Sequence, residues 1–152
     1  MAITAAEARQ QILDDLAAAL DQLGLAVACV SEAFEQLAVD AADQLEAALY
    51  RPVQRAYGRG KRTHAQFAER VGVPGDTFEP PSAGPSSQST RELIQKMAAA
   101  VTDADRRIAE LQDSMLPIEA GDAELRSGLS EVRETLEKVP TAAALFLRTL
   151  GR

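Results

Sequence analysis

The sequence predicts an all-α protein, an antiparallel up-and-down helical bundle with one long N-terminal helix and coiled-coil-like seams. Alanine supplies 29 of the 152 residues, whereas aromatic residues make up only 4%. A β-sandwich or barrel is rich in β-branched and aromatic residues, so this composition disfavours both. Apolar residues also recur at steps of three and four, the spacing of the buried stripe of a helix. The length suits a single helical domain over residues 1–152.

The first helix is predicted over residues 5–50. Thr4 and Glu7 have the spacing of a capping box, which marks a helix start near residue 5. Apolar residues then follow at helical steps as far as Leu49. Gly24 lies inside this run, and we expect the helix to continue through it. A glycine costs about 1 kcal/mol in a helix, whereas each seam side chain moved out of phase would lose about 1.5–3 kcal/mol of burial.

Residues 23–30 of this helix form an apolar collar, which carries no polar side chain except the weak thiol of Cys29. A helix that is apolar on every face is buried on every face. The collar is therefore predicted to lie in the middle of the bundle or at a contact between subunits. It also supplies most of a candidate apolar pocket between helices. The residues of that pocket are Leu23, Leu25, Val27, Val30 and Phe34.

Proline and glycine divide the middle of the chain. Pro52 interrupts the long helix and suits the start of a second helix over residues 52–71, with Gly72 as its C-terminal cap. Residues 72–89 hold four of the seven prolines, which predicts an extended or mobile linker on which only Phe78 docks.

The C-terminal half contains three further predicted helices. A capping box formed by Ser89 and Glu92 begins a helix over residues 90–115. Pro117 would cost about 3 kcal/mol inside a helix, which favours a break there. Asp122 then suits the N-cap of a helix over 122–138, and a short helix follows over 141–149. An alternative joins the helices on either side of Pro117 into one kinked rod.

The basic charge is concentrated in one segment. Residues 1–49 carry a net charge of −8, residues 50–70 carry +5 and residues 71–152 carry −4, for a total of −7. Four arginines of the basic segment fall at i, i+4, i+8 and i+11, which places them on one face of a helix. Together with a neighbouring lysine they form the candidate anion- or partner-binding site. Its residues are Arg51, Arg55, Arg59, Lys61 and Arg62.

Two interpretations of this basic patch stay open. In the first, acidic residues of neighbouring helices neutralise it as solvated ion pairs. The acidic candidates are Asp40, Asp43, Glu46, Asp103, Asp105 and Glu110. In the second, the planar guanidinium groups bind an acidic protein surface or a phosphate-bearing ligand. The negative charge of the rest of the chain disfavours duplex nucleic acid as that ligand.

No catalytic constellation, cofactor site or metal site is predicted. One histidine and one cysteine are too few for a Cys/His zinc site. A di-iron bundle needs a Glu-x-x-His motif on each of two helices, and the residue three before His64 is Lys61. The segment from Gly58 to Thr63 lacks the spacing and the preceding strand of a phosphate-binding P-loop. We expect His64 on the surface and Cys29 as a small buried apolar residue.

These observations lead to a ranked set of expectations about function. The primary hypothesis is a non-enzymatic helical interaction or scaffold module, self-associating as a homodimer, whose basic patch takes an acidic partner or anion. The alternative is a bundle that binds a small molecule or lipid between its helices, and a minor alternative is a nucleic-acid-binding regulator. We expect a cytoplasmic protein with neither a secretory signal nor a membrane span. The start of the chain has no basic segment, and the longest uncharged stretch early in the chain, residues 22–31, is too short for a span of about 20 residues.

Overall fold

A computed structural model describes residues 3–150, which fold into helices with no strand among them. The predicted all-α bundle is confirmed. The elements are α1 (Ala5–Gln36), α2 (Val39–Leu45), a π-helical turn (Glu46–Tyr50), α3 (Arg51–Arg70), α4 (Thr90–Asp113), α5 (Leu116–Glu119), α6 (Ala123–Leu136) and α7 (Val139–Leu150).

The long N-terminal helix α1 packs on α4 and α3, and α6 packs on α3. Neighbouring long helices run antiparallel. At one end of the bundle, Thr90 at the start of α4 donates a hydrogen bond to the side chain of Gln36 at the end of α1. At the other end, Arg70 at the end of α3 pairs with Asp122 at the start of α6. The topology is therefore the predicted up-and-down arrangement.

The start of α1 and its passage through Gly24 agree with the prediction. Thr4 Oγ1 accepts a hydrogen bond from the Glu7 N–H, as a capping box requires. The helix continues through Gly24, which faces the Tyr57 ring of α3. By length and mean hydropathy (1.4 over its most apolar window) α1 would also qualify as a membrane span, but half of that window is buried inside the bundle. A core helix of a bundle meets the same criteria.

The predicted rod over residues 5–50 is wrong beyond Gln36. Leu37 and Ala38 adopt extended backbone, with ψ of 151° and 159°, and the chain reverses there. The apolar seam does continue through Leu45 and Leu49, as the spacing indicates. A straight rod would carry these two residues past the start of α4, whereas the reversal leaves both 0% exposed. Burial of the seam therefore outweighs continuity of the helix.

Pro52 does not begin a separate helix, because the chain is helical from α2 through α3. The Arg51 N–H donates to the Glu46 carbonyl, five residues back, and this wider turn comes immediately before the proline. A π turn shifts the hydrogen-bond register, which accommodates a residue that has no N–H of its own. At the other end of α3, Gly72 has a φ of 72°, as expected of a C-terminal cap.

Residues 72–89 have no regular secondary structure but lie along the bundle as a strap, rather than as a free linker. The predicted contact of Phe78 is present, with its ring edge-on to His64 at 5.0 Å. Val73 and Ala83 pack against the core as well. Lys96 of α4 donates to the Ala83 carbonyl at 2.7 Å. The strap is therefore attached to the bundle at both ends, and Phe78 is not its only contact.

The C-terminal elements follow the predicted pattern with small shifts. Ser89 caps α4 by accepting from the Glu92 N–H. Met115 has a φ of 69°, and the chain breaks there before the short helix α5. Asp122 Oδ1 accepts from the Leu125 N–H at 2.8 Å and starts α6. The break at Pro117 is confirmed, and the alternative of a single kinked rod is excluded.

Candidate interaction surface on α3

Helix α3 turns one face to the core and the other to solvent. Val53, Ala56 and Phe67 lie on the buried face. Arg51, Arg55 and Arg62 are exposed on the opposite face. The π turn helps to position this face, because it lets the helix continue through Pro52 without a break.

The structure divides the five predicted patch residues into two groups. Arg59 is turned toward α6: its Nε lies 2.7 Å from Glu131, its side chain is 21% exposed, and its Nη1 donates to Thr63. The ammonium group of Lys61 lies 4.3 Å from the centre of the Tyr57 ring. These two cations already have partners inside the molecule, which removes them from the patch.

The other three arginines remain available. Arg51 has one distant acidic neighbour, Glu46, at 3.6 Å, and its side chain is 63% exposed. Arg55 and Arg62 are exposed, and no carboxylate lies within 4.0 Å of either one among residues 3–150. Seven residues separate these two, about 10.5 Å along the helix. We call Arg51, Arg55 and Arg62 the basic face of α3.

Three of the six acidic residues expected to neutralise the patch pair with other arginines. Asp103 and Glu110 pair with arginines of their own helix, and Asp105 pairs with Arg133 of α6. The hydrogen bonds from Arg107 and Arg106 hold the pKa of Asp103 below its usual value. Of the six expected acidic residues, only Glu46 reaches an arginine of the patch. Intramolecular pairing therefore leaves the basic face largely uncompensated.

Gly58 lies on the outer side of α3 between Arg55 and Arg62, and nothing in the packing requires it. A methyl group placed there would meet only the Arg62 guanidinium, at 3.6 Å. Gly60 differs, because a methyl group there would lie 2.5 Å from Leu20 Cδ2. A glycine inside a helix costs stability relative to alanine, and no packing contact offsets that cost at the half-buried Gly58. The sequence shows this glycine but not that it is free of packing contacts.

We expect Gly58→Ala to raise the free energy of unfolding by about 0.5–1 kcal/mol, because alanine favours the helix and has room for its methyl group. Urea denaturation measures the change. Gly60→Ala is the matched control two residues away, and it should show no such gain because Leu20 must move. A loss of stability in Gly58→Ala would show that Gly58 has a packing role after all.

The collar is mostly buried, but it is not buried on every face as the sequence predicts. Leu23 and Val30 are 0% exposed, whereas Leu25 and Phe34 are partly buried. A surface groove of about 560 Å³ lies between α1 and the strap, with Val27 among its lining residues. The small-molecule alternative stays a prediction, and this groove is where it would apply.

His64 was expected on the surface, but it is 1% exposed. Its ring lies beneath Phe78 of the strap, and no group in the described chain completes a hydrogen bond to either ring nitrogen. Burial lowers the pKa of His64. This pKa is raised, by a smaller amount, by Asp76 at 3.9 Å and by two groups of α1, the Leu13 carbonyl and Asp14. The sequence signal that would have revealed this is the spacing of His64, four residues after Gly60 and three before Phe67 on the apolar side of α3.

Cys29 is fully buried, as predicted, and burial raises the pKa of its thiol, which disfavours the reactive thiolate. Within residues 3–150, no three His, Cys, Asp or Glu side chains are grouped as a metal site would require.

Comparisons with other proteins add no assignment, because no family model, curated protein or solved structure matches the chain.

Proposed function

We propose that the protein is a helical interaction module that binds an acidic partner surface through the basic face of α3. The observation that carries this proposal is the state of Arg55 and Arg62. Both are exposed and lack a carboxylate partner in the described structure, while all nine salt bridges in it involve other cations. Like charges on one helix face repel, so an external anion would stabilise them.

The spacing of the arginines indicates the form of that anion. Arg51 and Arg62 are eleven residues apart, which corresponds to about 16 Å along a helix. A single phosphate group is too small to contact both. Carboxylates distributed along a partner helix match this distance, and arginine binds a carboxylate with two parallel hydrogen bonds. An acidic helical surface therefore suits the basic face better than an isolated small anion.

The proposal is tested with a fluorescently labelled helical peptide that carries glutamates at i, i+4 and i+11, with binding measured by anisotropy. Arg55→Glu combined with Arg62→Glu should weaken binding about tenfold or more, because two attractive contacts become repulsive. Arg59 is left unchanged, because Arg59→Glu would meet Glu131 and disturb the contact between α3 and α6.

The matched control is Lys138→Glu combined with Arg148→Glu. It makes the same change in net charge at two exposed positions outside α3. Binding within about twofold of wild type is expected for this variant, because neither side chain belongs to the basic face and exposed charges are screened. Equal losses in both variants, or a wild-type chain that neither binds the peptide nor associates with itself, would overturn the proposal. Duplex DNA is measured in parallel, and stronger binding of DNA than of the peptide would favour the nucleic-acid alternative instead.

A further inference from the structure

The outer face of α1 carries an acidic stripe, and one of its intervals equals the longer interval of the basic face of α3. Glu7, Asp14 and Asp21 are exposed and follow one another at intervals of seven residues. No Lys, Arg or His side chain lies within 4.0 Å of these three carboxylates among residues 3–150. The interval from Asp14 to Asp21 equals that from Arg55 to Arg62, about 10.5 Å in each helix.

The total charges of the two helices are also complementary. Helix α1 carries six acidic side chains and one basic, whereas α3 carries six basic and one acidic. Both helices belong to the same bundle, but each turns its charged stripe away from the core, so the two stripes do not neutralise each other within one molecule. Two copies of the chain would bring them together.

The residues between the charges are small on both helices. Gly58 lies between Arg55 and Arg62, and a methyl group there would contact only the Arg62 guanidinium, at 3.6 Å. Ala17 and Ala18 lie between Asp14 and Asp21 and are only partly buried. Small side chains at the centre of a contact let two helices approach closely, since the distance between helix axes depends on the side chains that meet there. This gives Gly58 the close backbone neighbour that the single chain lacks.

The strap limits where such a contact forms on α1. Pro81 comes within 3.4 Å of the position that a Gly24 methyl group would occupy, and the strap passes over α1 beside Val27 and Ser31. Further back along α1 the strap passes His64, which Asp14 neighbours, and Tyr57, which Asp21 neighbours. The carboxylates of the acidic stripe nevertheless stay exposed.

We infer that the acidic partner is a second copy of this chain, which places its α1 stripe against the basic face of α3. The inference rests on the proposed function and adds the identity of the partner. In a two-fold dimer the contact forms twice, α1 of each copy on α3 of the other, and closes with no stripe left unpaired.

A charge-swap experiment tests this inference. The first variant combines Arg55→Glu with Arg62→Glu, and the second combines Asp14→Lys with Asp21→Lys; all four positions are exposed. Light scattering coupled to gel filtration gives the mass of each sample. Wild type should be dimeric at about 50 mM NaCl. At about 500 mM NaCl the affinity of the two copies for each other should be at least about tenfold lower, since salt screens exposed charges.

Each variant alone should be monomeric, because like charges then meet at both contacts of the dimer. An equimolar mixture of the two should form a heterodimer, because every reversed arginine meets a reversed aspartate. The control Lys138→Glu with Arg148→Glu should dimerise as wild type does, and circular dichroism confirms that all chains stay helical.

The outcomes separate this inference from the proposed function. A wild-type chain that stays monomeric at low salt yet binds the acidic peptide overturns the inference alone. A chain that neither associates nor binds the peptide overturns both. Variants that still form homodimers, or a mixture that stays monomeric, would show that the copies associate through another surface.

Discussion

Replacing Gly128 with alanine is expected to lower the free energy of unfolding by about 1–3 kcal/mol, the usual cost of overfilling a packed interior. Gly128 of α6 lies against Thr63 of α3, and an added methyl group would contact Thr63 Oγ1 and lie 2.7 Å from its Cγ2. Thr63 has little freedom to turn away, because its hydroxyl donates to the Arg59 carbonyl and accepts from Arg59 Nη1. The two helices must therefore move apart.

Urea denaturation of Gly128→Ala and of its neighbour Ser127→Ala gives the comparison. Ser127 is exposed on the same helix, so its replacement should change stability by no more than about 0.5 kcal/mol. Thr63→Ala removes the atoms that cause most of the clash. Combined with Gly128→Ala, it should cost less than the two changes added together. Simple additivity would mean that α3 and α6 are not held at the distance the structure gives.

Acidification below pH 6.5 is expected to destabilise the protein through His64. Burial lowers the pKa of His64 in the folded chain relative to its ordinary value of 6.5. The unfolded chain therefore takes up a proton at a higher pH than the folded one. Stability from this residue is complete above 6.5 and falls as the pH drops from 6.5 toward the lower pKa of the folded state. Asp76 and Asp14 reduce this effect without reversing its sign.

His64→Leu should remove this pH dependence and raise stability at pH 7, by up to about 1–3 kcal/mol, since it eliminates two buried nitrogens without partners. Thermal unfolding followed by circular dichroism between pH 7 and about pH 5 measures both effects, a window above the usual titration range of carboxylates. The gap between wild type and His64→Leu should widen as the pH falls. Parallel curves for the two proteins would exclude His64 as the cause.

The sequence predicts helices well where the local signals agree. Thr4 and Ser89 are found as caps, Asp122 begins α6, and the break at Pro117 is present. Gly24 lies inside a continuous helix because the seam on both sides of it is buried.

The sequence fails where the outcome depends on distant parts of the chain. The reversal at Leu37 and Ala38 has no proline or glycine to mark it, and it follows from where α4 begins. At Pro52 the local signal is strong, yet the preceding π turn lets the helix continue.

The basic patch likewise has one part that local sequence signals predict and another that depends on distant parts of the chain. Helical spacing places Arg51, Arg55 and Arg62 on one face, and the structure agrees. That Arg59 turns to Glu131 depends on the position of α6, which is not encoded near Arg59. The burial of His64 depends likewise on the strap, which the sequence presents only as a proline-rich linker.

The pairing of α1 with α4 has a consequence for synthesis on the ribosome. The partner with which α1 packs most extensively begins at Thr90, and residues 37–89 separate the two helices. A nascent chain therefore displays much of the apolar side of α1 until α4 has left the exit tunnel, an interval in which such surfaces attract chaperones or aggregate. Once α4 is available, closing the loop of residues 37–89 costs little more entropy than closing a shorter loop would. The entropic cost of loop closure grows only slowly with loop length.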